Sequence, residues 1–147
     1  MTIVVGDAGL RSVSLPGSSM PAEAHVERDE AIAHQFDEWF AGRRHDFDLT
    51  LDLDGIDGFR LTVLNTLRRD VPWGETVSYG ELAQMAGRPR AARAVGRTMA
   101  TNPLPFVIPC HRVLAAGGKI GGYGSGANAI DLKRSLLVRE GVTLQRK

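Results

Sequence analysis

The segment NPLPFVIPCHRV, residues 102–113, carries the only cysteine of this 147-residue chain. Cys110 follows Pro109 and precedes His111 and Arg112. A thiol attacks carbon only as its thiolate, and neighbouring cations or an imidazole favour that form. The residues therefore suit nucleophilic displacement by sulfur. A lone cysteine is more often a small buried hydrophobe, and the residues alone leave that reading open. Pro103, Pro105 and Pro109 stiffen the approach, and the proline after Ile108 pushes that residue to an extended conformation. FVI (106–108) then reads as a buried, strand-like run that delivers Cys110 to a rigid turn. Adjacent residues of an extended strand face opposite sides. His111 can thus serve Cys110 only if the chain turns there, or through a water.

A second constellation is cationic. Arg90, Arg93 and Arg97 recur at helical spacing opposite the apolar positions of RAARAVGRTMATNP, and Arg88 stands in the turn before them. Such a stripe is commonly a solvated helix face. It also suits phosphate contacts, and Ala91, Ala92, Ala94 and Gly96 would let the helix backbone come close to a groove wall. The charge balance points the same way. Residues 1–87 hold 7 Lys and Arg against 15 Asp and Glu, and residues 88–147 hold 11 against 2. A basic half suggests a polyanion partner, although two faces that neutralise each other would give the same totals. Gly-rich AAGGKIGGYGSG follows the cysteine, with Tyr123 as its aromatic. It is either a flexible loop or a backbone that closes on a ligand, and it lacks the Gly-Lys-Ser/Thr of a phosphate loop.

The elements that must position these groups follow from periodicity. TIVV and RSVSL, joined by GDAG, read as a hairpin. RDEAIAHQFDEWFAG places Ala31, Ile32, Phe36, Trp39 and Phe40 at helical spacing and ends at Gly42. DFDLTLDLD alternates apolar and acidic residues, as in a half-buried strand. From Gly58 the pattern turns helical, with Phe59, Val63, Leu64 and Leu67 inward. In SYGELAQMAG, Ser78 and Glu81 make a capping box and Gly87 a stop. With the arginine-bearing helix after it, this is a helix-turn-helix. A final helix, DLKRSLLVREG, turns Leu132, Leu136 and Leu137 inward. The expected fold is α/β (α+β): a small β-β-α-β unit over 1–54, packed on a mostly helical domain over 55–147.

Composition narrows the class. The chain is 43% hydrophobic, has no apolar run long enough for a membrane span and starts without a secretory pattern. One cysteine excludes an internal disulfide and a multi-thiolate zinc site. A reducing, cytoplasmic setting is expected.

Taken together, PCHRV at 109–113, GETVSYGELAQMAG, RAARAVGRTMATNPLPFVIPCHRV, GGYGSG and LKRSLLVREG resemble the O6-alkylguanine-DNA alkyltransferases over residues 58–144. The N-terminal unit resembles them more loosely and is short. The resemblance implies transfer of an alkyl group from guanine O6 in double-stranded DNA to Cys110, irreversibly and once per molecule. It implies a relay of Cys110, His111 through water, and Glu140. Asn102 would brace the turn, and Tyr79 would contact the guanine and help it leave. Arg93 would fill the stack vacated by a flipped nucleotide. Val113 and Tyr123 would line the base pocket, and Arg60, Arg88 and Arg97 would meet the DNA backbone. No cofactor is expected and no metal, since His25, His34 and His45 are scattered. A monomer is expected. Between Tyr123 and the last helix the chain runs longer than the family's pattern. Rival readings are a helix-turn-helix regulator with an incidental cysteine, a non-catalytic lesion sensor, and a cysteine hydrolase that turns over repeatedly.

Overall fold

A computed structural model describes residues 2–14, 30–121 and 129–143. The hairpin forms as read: β1 (Thr2–Gly6) pairs antiparallel with β2 (Gly9–Ser14), with a bulge between Val4 and Val5. Gly9 lies at φ +136°, and a Cβ there would stand 2.5 Å from the Thr50 carbonyl oxygen. Only glycine lets the 46–54 segment come this close.

That segment differs from the expected third strand. Phe47, Leu49, Leu51 and Leu53 do pack against the core. Its pairing shrinks to a single parallel bridge between Leu10 and Leu51, held by Leu10 N–H to Thr50 O (2.9 Å) and Asp52 N–H to Leu10 O (2.8 Å). Side chains supply its other backbone partners. The Gln35 amide both donates to Asp48 O and accepts from Asp48 N–H, and Arg68 donates to Leu49 O. Backbone groups satisfied in this way need no neighbouring strand.

Helix α1 (Glu30–Phe40) buries Ile32, Phe36 and Trp39, while Ala31 and Phe40 stay exposed at its edge. Gly42, at φ +78°, ends it. Helix α2 (Gly58–Asp70) buries Val63, Leu64, Thr66 and Leu67. A two-residue strand, β3 (Val77–Ser78), leads into α3 (Tyr79–Met85). Ser78 Oγ accepts from Glu81 N–H and Glu81 accepts from Ser78 N–H, which completes the capping box. Gly87, at φ +91°, turns the chain toward α4 (Ala92–Ala100), whose Val95, Thr98 and Met99 face inward. The helix begins after Arg90, so that arginine sits in the turn and not on the helical stripe. Strand β4 (Val113–Leu114) pairs parallel with β3, which ties the cysteine segment to the start of α3. Helix α5 (Ala129–Arg139) closes the described chain. One core unites both parts: Leu10, Phe36 and Trp39 from the first, Leu64, Leu82 and Val113 from the second. Among the described residues no helix is long and apolar enough to cross a membrane.

Candidate active site

The approach to Cys110 is a tight loop, not the extended run expected. Asn102 staples it: its Nδ2 donates to Ile108 O (2.9 Å) and its Oδ1 accepts from Leu104 N–H (3.0 Å). Ile108 N–H returns to Leu104 O at 2.9 Å. The reversal forces Phe106 to φ +74°, a left-handed conformation that costs a non-glycine residue roughly 1–3 kcal/mol. Its buried ring offsets that strain, packing on Trp39 at 5.3 Å and on Phe40 at 5.1 Å. FVI is buried, as expected, but bent.

Cys110, His111 and Arg112 then form a single 3-10 turn. This turn lets neighbours in sequence act together. Cys110 keeps 7% exposure, whereas His111 is sealed. His111 Nε2 lies 2.6 Å from Glu140 Oε2, beyond the end of α5. Arg112 holds the same carboxylate through Nε to Oε1 (2.7 Å) and Nη2 to Oε2 (3.3 Å), and its Nη1 donates to Val71 O. Burial works to raise the Glu140 pKa. The hydrogen bonds from His111 and Arg112 outweigh it and hold the group down at about 2. Burial also dominates at His111 and lowers its pKa, against the pull of Glu140. Arg112 already balances the carboxylate, so a charged imidazole would leave a net buried cation. His111 is therefore neutral. An ionised carboxylate only accepts, so Nε2 carries the proton and Nδ1 presents a lone pair. Nδ1 has no hydrogen-bond partner among the described residues.

Tyr79, at the first position of α3, stands on the sulfur's side of the site. Burial pushes its phenol pKa up, and the nearby Cys110 charge adds to this. Gly121, at φ +68°, lies against Tyr79: a Cβ there would make an ordinary contact with the hydroxyl at 3.5 Å. Val113 is fully buried behind the cysteine. Tyr123 lies outside the described residues.

The cationic residues divide. Arg60, Arg88 and Arg97 line one open groove of about 600 Å³ between α2 and α4, together with Phe59, Ala94 and Thr98. Arg88 stacks over Phe59 at 4.9 Å, and Arg60 donates to Thr101 Oγ1 at 3.0 Å. Arg93 is exposed on α4 outside that groove. The groove is borne by α2 and α4, and the sulfur by the turn that follows α4, which β4 ties to the start of α3.

A family model described as 6-O-methylguanine DNA methyltransferase, DNA binding domain, matches residues 58–142. The chain belongs to this family. Among curated relatives, a methylated-DNA–protein-cysteine methyltransferase of Methanosarcina acetivorans is 39% identical over 90% of this chain and 80% of its own length. A protein of the same name from Mycobacterium bovis is 48% identical over 82% of this chain and 72% of its own. A crystal structure of Mycobacterium tuberculosis OGT in complex with DNA matches with a TM-score of 0.84 at 36% identity, covering 94% of this chain and 84% of that one. Schizosaccharomyces pombe Atl1, bound to DNA containing O6-carboxymethylguanine, matches at 0.55 over 63% of this chain.

Within this family member, two buried features escaped the sequence reading. Lys133 is fully buried, and its Nζ donates to Val113 O at 2.7 Å. Burial brings its pKa down to about 8, against the attraction of Cys110. Lys133, Leu136, Leu137 and Glu140 fall at i, i+3, i+4 and i+7, the spacing of one inward helix face. A lysine and a glutamate at the ends of an inward row were the available signal. The other is a contact of Trp39, read above only as an apolar helix position: its ring meets the His111 ring edge-on at 5.8 Å. Among the described residues no group of His, Cys, Asp and Glu could hold a metal ion.

Proposed function

We propose that this chain is a DNA repair methyltransferase that takes the alkyl group from O6 of guanine in double-stranded DNA onto its own Cys110. The observation that carries the reading is the bond between His111 and Glu140, in one turn with the sole thiol and inside the matched family domain. Glu140 fixes the Nε2–H tautomer, so Nδ1 takes the Cys110 proton through a bridging water. The Lys133 charge favours the thiolate. The sulfur lone pair then forms an S–C bond as the C–O6 bond breaks. The electron pair goes to the base, which leaves as neutral guanine by taking a proton from the Tyr79 hydroxyl, and the proton held at His111 passes back through solvent to restore the phenol. Asn102 keeps the turn in shape. A thioether has no good leaving group, so each molecule acts once.

The target atom is out of reach inside a duplex, so the nucleotide must leave the stack. The α3–α4 pair enters the minor groove, Arg93 takes the vacated place, and Arg60, Arg88 and Arg97 contact backbone phosphates. Val113 and Tyr123 line the base pocket. The unit over 1–54 supports the domain over 55–147, and the protein acts as a monomer in a reducing, cytoplasmic setting. A non-catalytic sensor is the second reading, and the Atl1 likeness is what favours it. The lesser overlap with Atl1 and the presence of Cys110 speak against it.

The test is the intact mass of the protein after mixing with duplex DNA containing O6-methylguanine. One added methyl group on Cys110 and a single turnover are expected, and Cys110→Ser should bind the DNA yet gain no mass. Loss of the lesion from DNA while Cys110 stays unmodified, or repeated turnover, overturns the reading.

A further inference from the structure

Arg139 occupies a costly seat. Its guanidinium lies over the Trp39 ring at 4.3 Å and over the Trp73 ring at 5.0 Å. Nη1 donates to the Phe40 carbonyl at 2.9 Å. Nε and Nη2 are buried and have no hydrogen-bond partner among the described residues. Buried donors without acceptors are disfavoured, and cation–π attraction offsets only part of that. Arg139 as a whole is half-buried at the last position of α5, so it is the Nε and Nη2 groups that are closed off, not the entire side chain. The seat also has a specific neighbourhood. Trp39, which carries Arg139, meets the His111 ring edge-on, and Glu140 follows Arg139 in the chain. Arg112 already matches the charge of Glu140, so Arg139 is the excess cation of the cluster.

We propose that Arg139, gripped between Trp39 of α1 and Trp73 of the turn after α2, is a positioning residue that holds the His111–Glu140 pair and keeps the imidazole a base. The N-terminal unit thereby takes part in the chemistry through Trp39. This rests on Cys110, His111 and Glu140 being the transfer machinery. The groups facing His111 bear the idea out in sign. Glu140 and Arg139 face it from the end of α5, and Cys110 and Arg112 from its own turn. Trp39 presents an uncharged ring. After burial, which is the largest cause, Arg112 and Arg139 both lower the His111 pKa and only Glu140 raises it. Removing Arg139 therefore makes the imidazole easier to protonate. His45 stacks on Trp73 at 4.2 Å, so its signal must be separated from that of His111.

The test is the titration of the His111 ring, followed by carbon-13 NMR in the full chain carrying Cys110→Ser. The His111 signal is assigned by its loss in His111→Gln. Arg139→Met should move protonation of His111 to higher pH, while Arg139→Lys, which keeps the charge, should leave it close to the parent. In the cysteine-bearing protein, Arg139→Met should lose transfer rate several-fold more at pH 6 than at pH 8. Trp73→Leu, which opens one side of the grip, should shift His111 in the same direction and serves if Arg139→Met does not fold. An unchanged His111 titration in Arg139→Met or, failing that variant, in Trp73→Leu refutes the proposal. So does an equal shift in Arg139→Lys and Arg139→Met, which would make the effect one of packing. These readings need no alkyl transfer, so their failure is distinct from a failure to find methyl on Cys110.

Discussion

Replacing Glu140 with glutamine keeps the shape of the side chain and removes its charge. Glu140 is 4% exposed and accepts from His111 at 2.6 Å and from Arg112 at 2.7 and 3.3 Å. Its pKa sits at about 2, below an ordinary 4.5, because those hydrogen bonds outweigh burial. The folded value lies below the unfolded one, so the unfolded chain binds the proton more readily. The resulting stabilisation is complete above the unfolded value and is lost as the pH falls toward about 2. At about 1.4 kcal/mol per pH unit, the separation corresponds to roughly 3 kcal/mol. Stripping one partner from a buried ion pair costs a similar roughly 3–5 kcal/mol. Urea unfolding followed by tryptophan fluorescence measures both. Glu140→Gln should be less stable than the parent by roughly 3 kcal/mol at pH 7. Between pH 5 and pH 3 the parent should lose about 2 kcal/mol more than the variant, since other carboxylates contribute equally to both. Transfer should also slow by at least about tenfold, because an amide can turn its NH2 toward His111 and no longer fixes the tautomer. A variant within about 1 kcal/mol of the parent at pH 7, or one equally sensitive to acid, would refute the account of this carboxylate.

Lys133 has the same sign in a higher window: burial brings its folded pKa to about 8, below an ordinary 10.5, so stability should rise with pH between those values. Lys133→Met in the Cys110→Ser background should flatten that rise in urea titrations, and with Cys110 present it should slow transfer. Asn102→Ala breaks both staples of the loop and should lower stability by about 1–3 kcal/mol. It should also slow transfer while leaving DNA affinity, read by fluorescence anisotropy, near the parent value. Arg93→Ala should slow transfer from duplex DNA by about 1–3 kcal/mol of lost stacking yet leave reaction with free O6-benzylguanine unchanged. Equal loss on both substrates would place Arg93 outside the extrusion step.

Much of the fold was legible because helical spacing and caps are local. The Ser78–Glu81 box, the Gly42 and Gly87 stops and the inward faces of α2 and α4 stand where periodicity puts them, as do Ile32, Phe36 and Trp39 of α1. What was not legible depends on distant partners. The 46–54 segment alternates like a strand, but nothing in its own residues tells that Gln35 and Arg68 satisfy its backbone. Phe106 carries no signature of a left-handed turn, since a non-glycine residue adopts one only when tertiary contacts compensate. The relay pair was read from motif resemblance, and the geometry brings His111 and Glu140 together across 29 positions of sequence. Lys133 was passed over because a charged residue on a helix is ordinarily solvated. The seat of Arg139 depends on Trp39 from one part of the chain and Trp73 from another, which no local pattern encodes.

The stretch around Asp48 also bears on how copies of the molecule meet one another. Two chains join edge to edge when each offers the other a row of idle backbone groups. Here the Gln35 amide already occupies the ladder position at Asp48. The carboxylates of Asp46, Asp48, Asp52 and Asp54 along the same ribbon would repel a second copy of themselves. A chain so guarded resists fibril-like self-templating there, and it does so on an acidic flank while its basic helices stay free to search DNA.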